Sequence, residues 1–460
     1  MKHYDAIVIG SGQAGTPLSK KLAKSGLKTA LIEKRWVGGT CVNDGCSPTK
    51  AMIASAKAAW SVGHNKSLGV TSEKATIDFK TILKRKNDIV QSMRGNVEEG
   101  INGTKNLDLY YGSASFSGEK EVTIALNDGK TLILSADQFF INTGLQPTIP
   151  EIEGIEDVEY LTSTSIMELT DIAEHLLVLG SGYIGLEFGQ MFSRFGSKVT
   201  ILEASERILK KEDKDIAEAV TSILDEEKIE ILVKSKAVKV EKKGAKITVT
   251  VESKGKTTEI KCSHILVATG RKPQTDTLNL KAAGVETDEK GFIKANDKLE
   301  TTAKDIYVLG DVKGGPAFTH ISYDDYRILA ENIIRKGKAT LSDRLVPYCM
   351  FIDPQLGRIG ITEEQAKKQG LDFQVAILKN NSVARCIETG DERGLMKAIV
   401  DTKTKKILGA AVLAEQGGEV VTILQMAMIG GITYDKIRDG VFAHPTYAES
   451  LNNLFMTLDE

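Results

Sequence analysis

The fold follows from the stretch Gly10-Ser11-Gly12-Gln13-Ala14-Gly15, near the start of the chain. An apolar segment at residues 4–9 predicts a buried strand before it. A helix pattern follows it, and residues 28–33 predict a second strand that ends in Glu33. Glycines at this spacing let the backbone approach a pyrophosphate at the helix N-terminus, and an acid at that strand end accepts a hydrogen bond from a ribose hydroxyl. The stretch therefore predicts a dinucleotide-binding unit that uses Gly10, Gly12, Gly15 and Glu33.

The same pattern occurs a second time in the chain. Residues 175–179 predict a strand, Gly180-Ser181-Gly182-Tyr183-Ile184-Gly185 forms the loop, and residues 198–203 predict the next strand, which ends in Glu203. In both copies the helix-ending glycine, Gly26 or Gly196, and the acid stand at the same offset from the third loop glycine. A single copy is weak evidence. Two matching copies predict an internal duplication that binds two dinucleotides, the second at Gly180, Gly182, Gly185 and Glu203.

Each unit also closes with a similar strand end. Residues 139–147 and 265–273 are apolar strands that stop at a glycine turn, Thr143-Gly144 in the first and Thr269-Gly270 in the second. One such strand end alone is equally compatible with a simple corner between a strand and a loop. Together with the two glycine loops, the strand ends favour contacts of Thr143, Gly144 and Gly270 with the cofactors.

Two cysteines lie in the stretch Gly38-Gly39-Thr40-Cys41-Val42-Asn43-Asp44-Gly45-Cys46-Ser47-Pro48-Thr49-Lys50. Ser47 and Thr49 can cap backbone amides and Pro48 suits a first helical turn, so a helix is predicted to begin there. The positive end of that helix and the ammonium of Lys50 would stabilise a thiolate. The pattern indicates that Cys41 and Cys46 are a reactive pair.

The cysteine pair has two other interpretations. A zinc site needs about four ligands, and the remaining cysteines, Cys262, Cys349 and Cys386, are isolated in the sequence. No metal site is therefore predicted. A purely structural disulfide across so short a loop would stabilise the fold little through chain entropy. Redox chemistry is the favoured interpretation.

Length and composition exclude several classes of protein. A chain of 460 residues suggests about three domains. Its 41% hydrophobic and 27% charged residues are ordinary for a soluble protein, and a net charge of -2 indicates no binding to nucleic acid or to membranes. The sequence begins directly with a predicted strand, without a signal peptide, and its most apolar late segment, 420–432, is too short to span a bilayer. Five cysteines in this length favour a reducing compartment, so a cytoplasmic location is expected.

The stretch 38–50 resembles the redox-disulfide signature of the FAD-dependent pyridine nucleotide-disulfide oxidoreductases, which include dihydrolipoamide dehydrogenase, glutathione reductase and mercuric reductase. The other motifs extend this resemblance over nearly the whole chain. It implies that electrons pass from NAD(P)H through FAD to a Cys41–Cys46 disulfide, with Cys46 as the thiolate beside the flavin and Cys41 as the thiol that exchanges with substrate. It also implies that Lys50 favours the reduced flavin and the thiolate, and that Glu187 pairs with Lys50.

The resemblance further implies cofactor contacts and domain limits. Gly39, Thr40, Gly310 and Asp311 would join the first loop in binding FAD, while Asn142 departs from the alanine that is usual in the family. The implied architecture is an α/β fold with two Rossmann-like domains, an FAD-binding domain at 1–150 and 271–342 and an NAD(P)-binding domain at 151–270. Residues 343–460 predict antiparallel strands and helices without a glycine loop. By resemblance, this α+β part is the dimer interface domain.

A late motif, His444-Pro445-Thr446-Tyr447-Ala448-Glu449, has two interpretations. Thr446 and Glu449 have the spacing of a capping box, in which Glu449 would serve only its own helix. The motif also resembles the acid/base pair of dihydrolipoamide dehydrogenase and glutathione reductase, in which a histidine oriented by a glutamate reaches the disulfide of the partner subunit. An unperturbed imidazole, with a pKa of ~6.5, can take a proton from a thiol and return it. The resemblance thus implies a homodimer that uses His444 and Glu449 across its interface.

The sequence leaves the electron acceptor open. Glu203 suits a free ribose 2′-hydroxyl and would repel a 2′-phosphate, so NADH should be preferred over NADPH, although Arg207 lies close behind it. Residues 346–348, 353–357 and 385–394 resemble a mercuric reductase-like branch, but the sequence shows no N-terminal metal-binding domain and no cysteine pair near its end. The prediction is a mercuric reductase-like NAD(P)H oxidoreductase that acts on a disulfide, a quinone or a metal ion. Dihydrolipoamide dehydrogenase-type dithiol exchange, Hg(II) or Cu(II) reduction, and non-enzymatic redox sensing are the alternatives.

Overall fold

A computed structural model describes residues 1–73, 75–244, 246–342 and 344–459. Asp343 and Glu460, the predicted limits of the third domain, lie outside the described residues. The chain divides into two compact units. The first comprises residues 1–51, 83–148 and 270–344, and the second comprises residues 52–82, 149–269 and 345–460.

Strands and helices alternate through most of the chain. The strands are β1 (Lys2–Ile9), β2 (Thr29–Glu33), β3 (Leu107–Gly118), β4 (Glu121–Leu126), β5 (Thr131–Ile141), β6 (Leu145–Pro147), β7 (His175–Leu179), β8 (Lys198–Glu203), β9 (Glu230–Val233), β10 (Ser235–Lys243), β11 (Lys246–Ser253), β12 (Lys256–Cys262), β13 (His264–Val267), β14 (Arg271–Pro273), β15 (Ile306–Val308), β16 (Tyr348–Met350), β17 (Gln355–Gly360), β18 (Phe373–Lys379), β19 (Leu395–Asp401) and β20 (Ile407–Ala414). The α-helices are α1 (Gly15–Lys24), α2 (Gly39–Asn43), α3 (Cys46–His64), α4 (Phe79–Asn102), α5 (Tyr183–Phe195), α6 (Lys214–Glu226), α7 (Thr319–Ile334), α8 (Glu363–Lys368), α9 (Ala384–Thr389), α10 (Gly417–Ile429), α11 (Tyr434–Arg438) and α12 (Ser450–Met456).

The first unit is built on a parallel sheet. β1 lies between β2 and β5, so that Val8 is opposite Leu31 on one side and Phe140 on the other. β3 extends the sheet beyond β2, β15 extends it beyond β5, and β4 is antiparallel to both β3 and β5. The apolar residues in the middle of β1 and β2 are buried, as expected for parallel strands that are covered on both faces. The first glycine loop therefore follows the carboxyl end of the central strand.

The second unit contains a four-stranded parallel sheet in the order β13-β7-β8-β9 and a three-stranded antiparallel sheet, β10-β11-β12. Its C-terminal part forms a five-stranded antiparallel sheet in the order β16-β17-β20-β19-β18. The edge strand β16 is limited to Tyr348–Met350, because it pairs with β17 over three residues only. Two parallel sheets, each with a helix after its central strand, and an α+β part confirm the predicted fold class. Among the helices of the described residues, none combines the length and apolarity that crossing a bilayer requires.

Candidate active site

The two cysteines of the 38–50 stretch are adjacent in the first unit. Cys41 lies in the short helix α2, and Cys46 is the first residue of the long helix α3. Both cysteines are free, and each thiol shifts the pKa of the other, so the two side chains lie close together. Cys41 is partly buried and Cys46 is exposed. The pair has the contact that formation and cleavage of a disulfide require.

The loop before Cys41 is held by two features. Gly39 has a φ of 64°, and a Cβ at this position would lie 2.6 Å from the Cα of Gly12, so only glycine fits where this loop meets the first glycine loop. The buried Asn43 donates from Nδ2 to the carbonyl oxygen of Gly39 at 2.9 Å and accepts from Nε of Arg94 at 2.7 Å. These contacts place Cys41 beside the loop that is predicted to bind a dinucleotide.

The two thiols have opposite pKa shifts. The pKa of Cys46 is lowered to about 6 by the hydrogen bond with Cys41, by a hydrogen bond with Thr319 and by the positive charge of Lys50, against the opposing effect of desolvation. The hydrogen bond with Cys46 and burial raise the pKa of Cys41. Cys46 is therefore the thiolate of the pair near neutral pH, and Cys41 remains the protonated thiol.

Thr319 makes a contact that the sequence did not predict. It is the first residue of α7, and its Oγ1 lies 3.3 Å from Sγ of Cys46. Among the described residues no side chain caps the N-terminus of α7, so its positive end and the hydroxyl group both favour a thiolate at Cys46. Thr319 and Cys46 are far apart in the chain, and no local motif marks Thr319 as a partner of a cysteine.

Replacing Thr319 with valine should raise the pKa of Cys46, because valine keeps the shape of threonine and removes the hydrogen bond. A hydrogen bond to a charged group contributes about 1.5–3 kcal/mol, which corresponds to about one pH unit or more. The pKa is the midpoint of the pH dependence of Cys46 alkylation by iodoacetamide in the dithiol protein, followed by mass spectrometry. The wild-type midpoint should be near pH 6, and Thr319→Ser should retain it. Equal midpoints in Thr319→Val and the wild type would contradict the prediction.

The first glycine loop has the geometry that a dinucleotide requires. Gly10 has a φ of 101°, and a Cβ on Gly15 would lie 2.0 Å from the carbonyl oxygen of Gly10, so neither position admits a side chain. Glu33, at the end of β2, accepts from the amide and the hydroxyl of Ser11 at 3.0 and 2.7 Å. In the part of the chain that the structure describes, no side chain caps the N-terminus of α1, which suits the pyrophosphate of FAD.

Asn142 connects the first glycine loop to the Gly310-Asp311 turn. Its Nδ2 donates to the carbonyl oxygen of Gly10 at 3.2 Å, and its Oδ1 lies 2.7 Å from the position of a Cβ on Gly310. The residue that departs from the family pattern thus makes a hydrogen bond to the loop. Asp311 accepts from Oγ of Ser322 at 3.2 Å, and burial raises the pKa of Asp311.

The remaining predicted cofactor contacts also lie in the first unit, and they include Gly270, which is predicted to contact the nicotinamide cofactor. Thr143 donates from Oγ1 to the carbonyl oxygen of Gln274 at 2.8 Å. A Cβ built on Gly144 or on Gly270 would meet no atom within 4 Å, so both glycines border open space. The carbonyl oxygen of Thr40 accepts from the amide of Asp44 at 3.0 Å in the turn between α2 and α3. A cradle of glycines beside a dithiol fits a flavin dinucleotide.

The second glycine loop repeats the first in the other unit. Gly180 has a φ of 102°, and a Cβ on Gly185 would lie 2.1 Å from the carbonyl oxygen of Gly180. Glu203 accepts from the amide and hydroxyl of Ser181, as Glu33 does from Ser11. Burial tends to raise the pKa of Glu203, but hydrogen bonds from Ser181 and Ser205 outweigh burial and hold this pKa below its usual value. Within residues 1–73, 75–244, 246–342 and 344–459, a Cβ on Gly182 would meet no atom within 4 Å and no side chain caps α5, so this loop fits a second dinucleotide.

Arg207 is directed to other residues of the second unit. Its Nη2 donates to the carbonyl oxygen of Glu212 and to Oε1 of Glu364, both at 2.9 Å. The guanidinium of Arg207, which follows Glu203 closely in the sequence, is therefore hydrogen-bonded to residues other than Glu203.

His444 and Glu449 are in contact in the second unit. Nδ1 of His444 lies 2.8 Å from Oε2 and 3.0 Å from Oε1 of Glu449, and 66% of the histidine side chain is exposed. Thr446 accepts from the amide of Glu449 at 3.1 Å, but helix α12 begins later, at Ser450, and no side chain caps it. The carboxylate of Glu449 therefore contacts the histidine rather than completing a capping box.

Lys50 and Glu187 belong to different units. Glu187 is buried in the second unit, where its Oε1 accepts from the amide of Phe351 at 2.8 Å. The ion pair between Lys50 and Glu187 stays a prediction.

The fold, its two glycine loops and its pair of neighbouring cysteines define a class of oxidoreductase. Residues 4–325 match the family described as pyridine nucleotide-disulphide oxidoreductase, and residues 346–455 match its dimerisation domain. The chain belongs to this family. It is an NAD(P)H-dependent flavoprotein oxidoreductase that uses FAD and a redox-active disulfide, and its dimerisation domain supports a homodimer. The predictions of family, fold class, type of enzyme and cofactors are confirmed.

Several relatives match along nearly the whole chain. The probable pyridine nucleotide-disulfide oxidoreductase RclA of Escherichia coli (strain K12) is 38% identical over 459 residues, which is 99% of each chain. A mercuric reductase of Staphylococcus aureus is 35% identical over 99% of this chain and 83% of its own length. Among solved structures, a Cu(II) complex of the HOCl-induced flavoprotein disulfide reductase RclA from Escherichia coli matches with a TM-score of 0.91 and 37% identity, over 99% of each chain.

Proposed function

We propose that Cys41 and Cys46 are the redox-active pair and that the chain passes electrons from NADH through them to a small disulfide. The proposal assigns FAD to residues 1–150 and 271–342, NAD(P)H to residues 151–270 and the dimer interface to residues 343–460. The observation that carries it is that Cys41 and Cys46 lie close together at the N-terminus of α3, where each thiol shifts the pKa of the other. When bound, FAD accepts hydride from the nicotinamide and passes two electrons to the disulfide.

Each cofactor is assigned to one glycine loop. Gly10, Gly12, Gly15 and Glu33 bind FAD together with a second group of contacts, Gly39, Thr40, Thr143, Gly144, Gly310 and Asp311. Gly180, Gly182, Gly185, Glu203 and Gly270 bind the nicotinamide cofactor. Lys50, oriented by Glu187, stabilises the thiolate of Cys46 in this proposal.

The exchange with a substrate disulfide follows from the two pKa shifts. Cys41 is protonated, so a base must take its proton before its sulfur attacks one sulfur of the substrate and releases the other as a thiol. The thiolate of Cys46 then attacks the sulfur of Cys41, which breaks the mixed disulfide, releases the second substrate sulfur as a thiolate that takes its proton from water, and forms the Cys41–Cys46 disulfide. His444 of the partner subunit, oriented by its glutamate, takes the proton from Cys41 and returns it to the leaving thiol. Two thiols of the protein are oxidised and one substrate disulfide is reduced.

NADH is the proposed electron donor. The carboxylate of Glu203 suits a free 2′-hydroxyl, and its lowered pKa keeps it negative near a 2′-phosphate. Arg207, which could otherwise attract that phosphate, donates to Glu212 and Glu364. We also place the enzyme in the cytoplasm, because a reactive dithiol in a chain with five cysteines suits a reducing compartment.

A metal ion is the second candidate for the acceptor. A relative of high similarity was solved as a Cu(II) complex, and other relatives are mercuric reductases. Thiolates suit soft metal ions, so the Cys41–Cys46 pair could deliver its electrons to Cu(II) or Hg(II).

Counting thiols before and after reduction tests the proposal directly. Anaerobic reduction of the oxidised wild-type protein by NADH should add about two thiols per chain, since one disulfide accepts two electrons. The Cys41→Ser protein should add none, and Cys349→Ser should behave as the wild type apart from its missing thiol. Thiols are counted with a chromogenic disulfide in denaturant. No increase in the wild type would refute the assignment of the redox pair.

A further inference from the structure

Tyr447 lies within the 444–449 motif and has no role in the exchange described above. Its side chain is buried, with 6% of the residue exposed. The phenol donates to Oε2 of Glu415 at 2.6 Å and lies 3.0 Å from Oγ1 of Thr389. Burial and the bond to Glu415 raise the pKa of Tyr447, so the hydroxyl remains a donor.

Glu415 is in turn held by a cation. Its Oε1 lies 3.2 Å from Nζ of Lys57, which lies at the same distance from Oδ1 of Asp353. Burial tends to lower the pKa of Lys57, but the negative charges of Asp353 and Glu415 outweigh burial and raise this pKa. Thr389 is the last residue of α9, within the stretch 385–394 that resembles a mercuric reductase-like branch. A buried tyrosine, a carboxylate and an ammonium thus form one continuous network.

The network attaches the turn that carries His444 to neighbouring segments of the chain. Within the described part of the chain, His444 makes hydrogen bonds only to Glu449. Thr446 accepts from the amide of Glu449 and donates to the carbonyl oxygen of Ala443, so these bonds remain inside the turn. The hydroxyl of Tyr447 instead contacts two residues outside the turn, Glu415 directly after β20 and Thr389 at the end of α9.

We propose that Tyr447, held by Glu415 and Lys57, is the positioning residue that orients the His444–Glu449 pair for proton transfer. This inference rests on the proposed role of His444 as the acid/base. Without the hydroxyl, the turn keeps its internal bonds but loses its polar attachment to β20. The histidine then samples several positions, and only a fraction of them serve the substrate sulfur.

The test compares Tyr447→Phe with the wild type and with Tyr434→Phe, a matched variant in α11 of the same part of the chain. A small displacement of a catalytic group can cost up to about a hundredfold, and we expect a fall of about tenfold or more in kcat for a small disulfide in Tyr447→Phe. The KM should change little. The solvent deuterium isotope effect on kcat should rise, because proton transfer becomes rate-limiting. Flavin reduction by NADH and Cu(II) reduction should keep wild-type rates, and Tyr434→Phe should match the wild type throughout.

A second variant separates the effect of the Tyr447–Glu415 hydrogen bond from the effect of the negative charge on Glu415. Glu415→Gln keeps an acceptor for Tyr447 and loses the attraction of Lys57, so its kcat should lie between those of the wild type and Tyr447→Phe. A wild-type kcat and isotope effect in Tyr447→Phe would overturn the inference, and so would an equal loss in flavin reduction by NADH. If His444→Ala itself retains full disulfide turnover, the proposed role of His444 fails first, which distinguishes the two failures.

Discussion

Replacing Cys41 with serine is expected to abolish turnover of every acceptor that takes its electrons from the dithiol. Serine has nearly the size of cysteine, but it cannot form a disulfide with Cys46 or attack a substrate sulfur. Because removal of a nucleophile typically costs several orders of magnitude, we expect kcat to fall about a thousandfold or more. The thiolate of Cys46 would remain at the N-terminus of α3, so NADH should still reduce the flavin.

The measurement is a panel of acceptors with NADH and with NADPH as donors. It includes a cyclic disulfide, a linear disulfide, a quinone, Cu(II) and Hg(II), each with the wild type and with Cys41→Ser. The control is Cys349→Ser, since Cys349 is a partly buried cysteine outside the redox stretch. An acceptor whose turnover is lost in Cys41→Ser but kept in Cys349→Ser is reduced by the dithiol. Equal rates in both proteins for every acceptor would remove the cysteines from the mechanism.

Replacing His444 with alanine should separate disulfide substrates from metal ions. The pKa of Cys41 is raised, so its attack on a disulfide needs a base, and loss of a general acid/base typically costs about a hundredfold or more. A metal ion replaces the protons of the thiols when it binds, so reduction of Hg(II) or Cu(II) should survive the change. Flavin reduction by NADH should be unaffected. Disulfide turnover at the wild-type rate in His444→Ala would contradict the proposed role.

Mixed dimers test whether the histidine acts across the interface. Each homodimer of Cys41→Ser or of His444→Ala lacks a complete site. If His444 serves the partner subunit, a mixed dimer retains one complete site, so random exchange of equal amounts should restore roughly a quarter of wild-type disulfide turnover. If His444 instead serves its own chain, neither chain of a mixed dimer carries both residues, so no activity above the background is expected. The two arrangements cannot be confused if the mixed dimers are isolated with two different affinity tags.

The sequence alone was enough to predict the architecture and to propose Cys41 and Cys46 as the reactive groups. Gly10 and Gly180, with φ values of 101° and 102°, and Gly15 and Gly185, whose Cβ atoms would lie 2.0 and 2.1 Å from a carbonyl oxygen, occupy positions where only glycine fits. Such constraints are local, so they appear in the sequence as a spacing. Cys41 and Cys46 are likewise close in the chain, and the turn between α2 and α3 is enough to bring them together.

Only the tertiary structure decided which groups surround the reactive atoms. Thr319 reaches Cys46 because α7 returns to the start of α3, and Tyr447 reaches Lys57 through Glu415 because three separate segments pack together. The spacing of Thr446 and Glu449 is equally compatible with a helix cap, and the structure directs the carboxylate to His444 instead. Contacts between segments that are distant in the chain depend on how helices and strands pack, and packing leaves no periodic pattern in the amino-acid sequence.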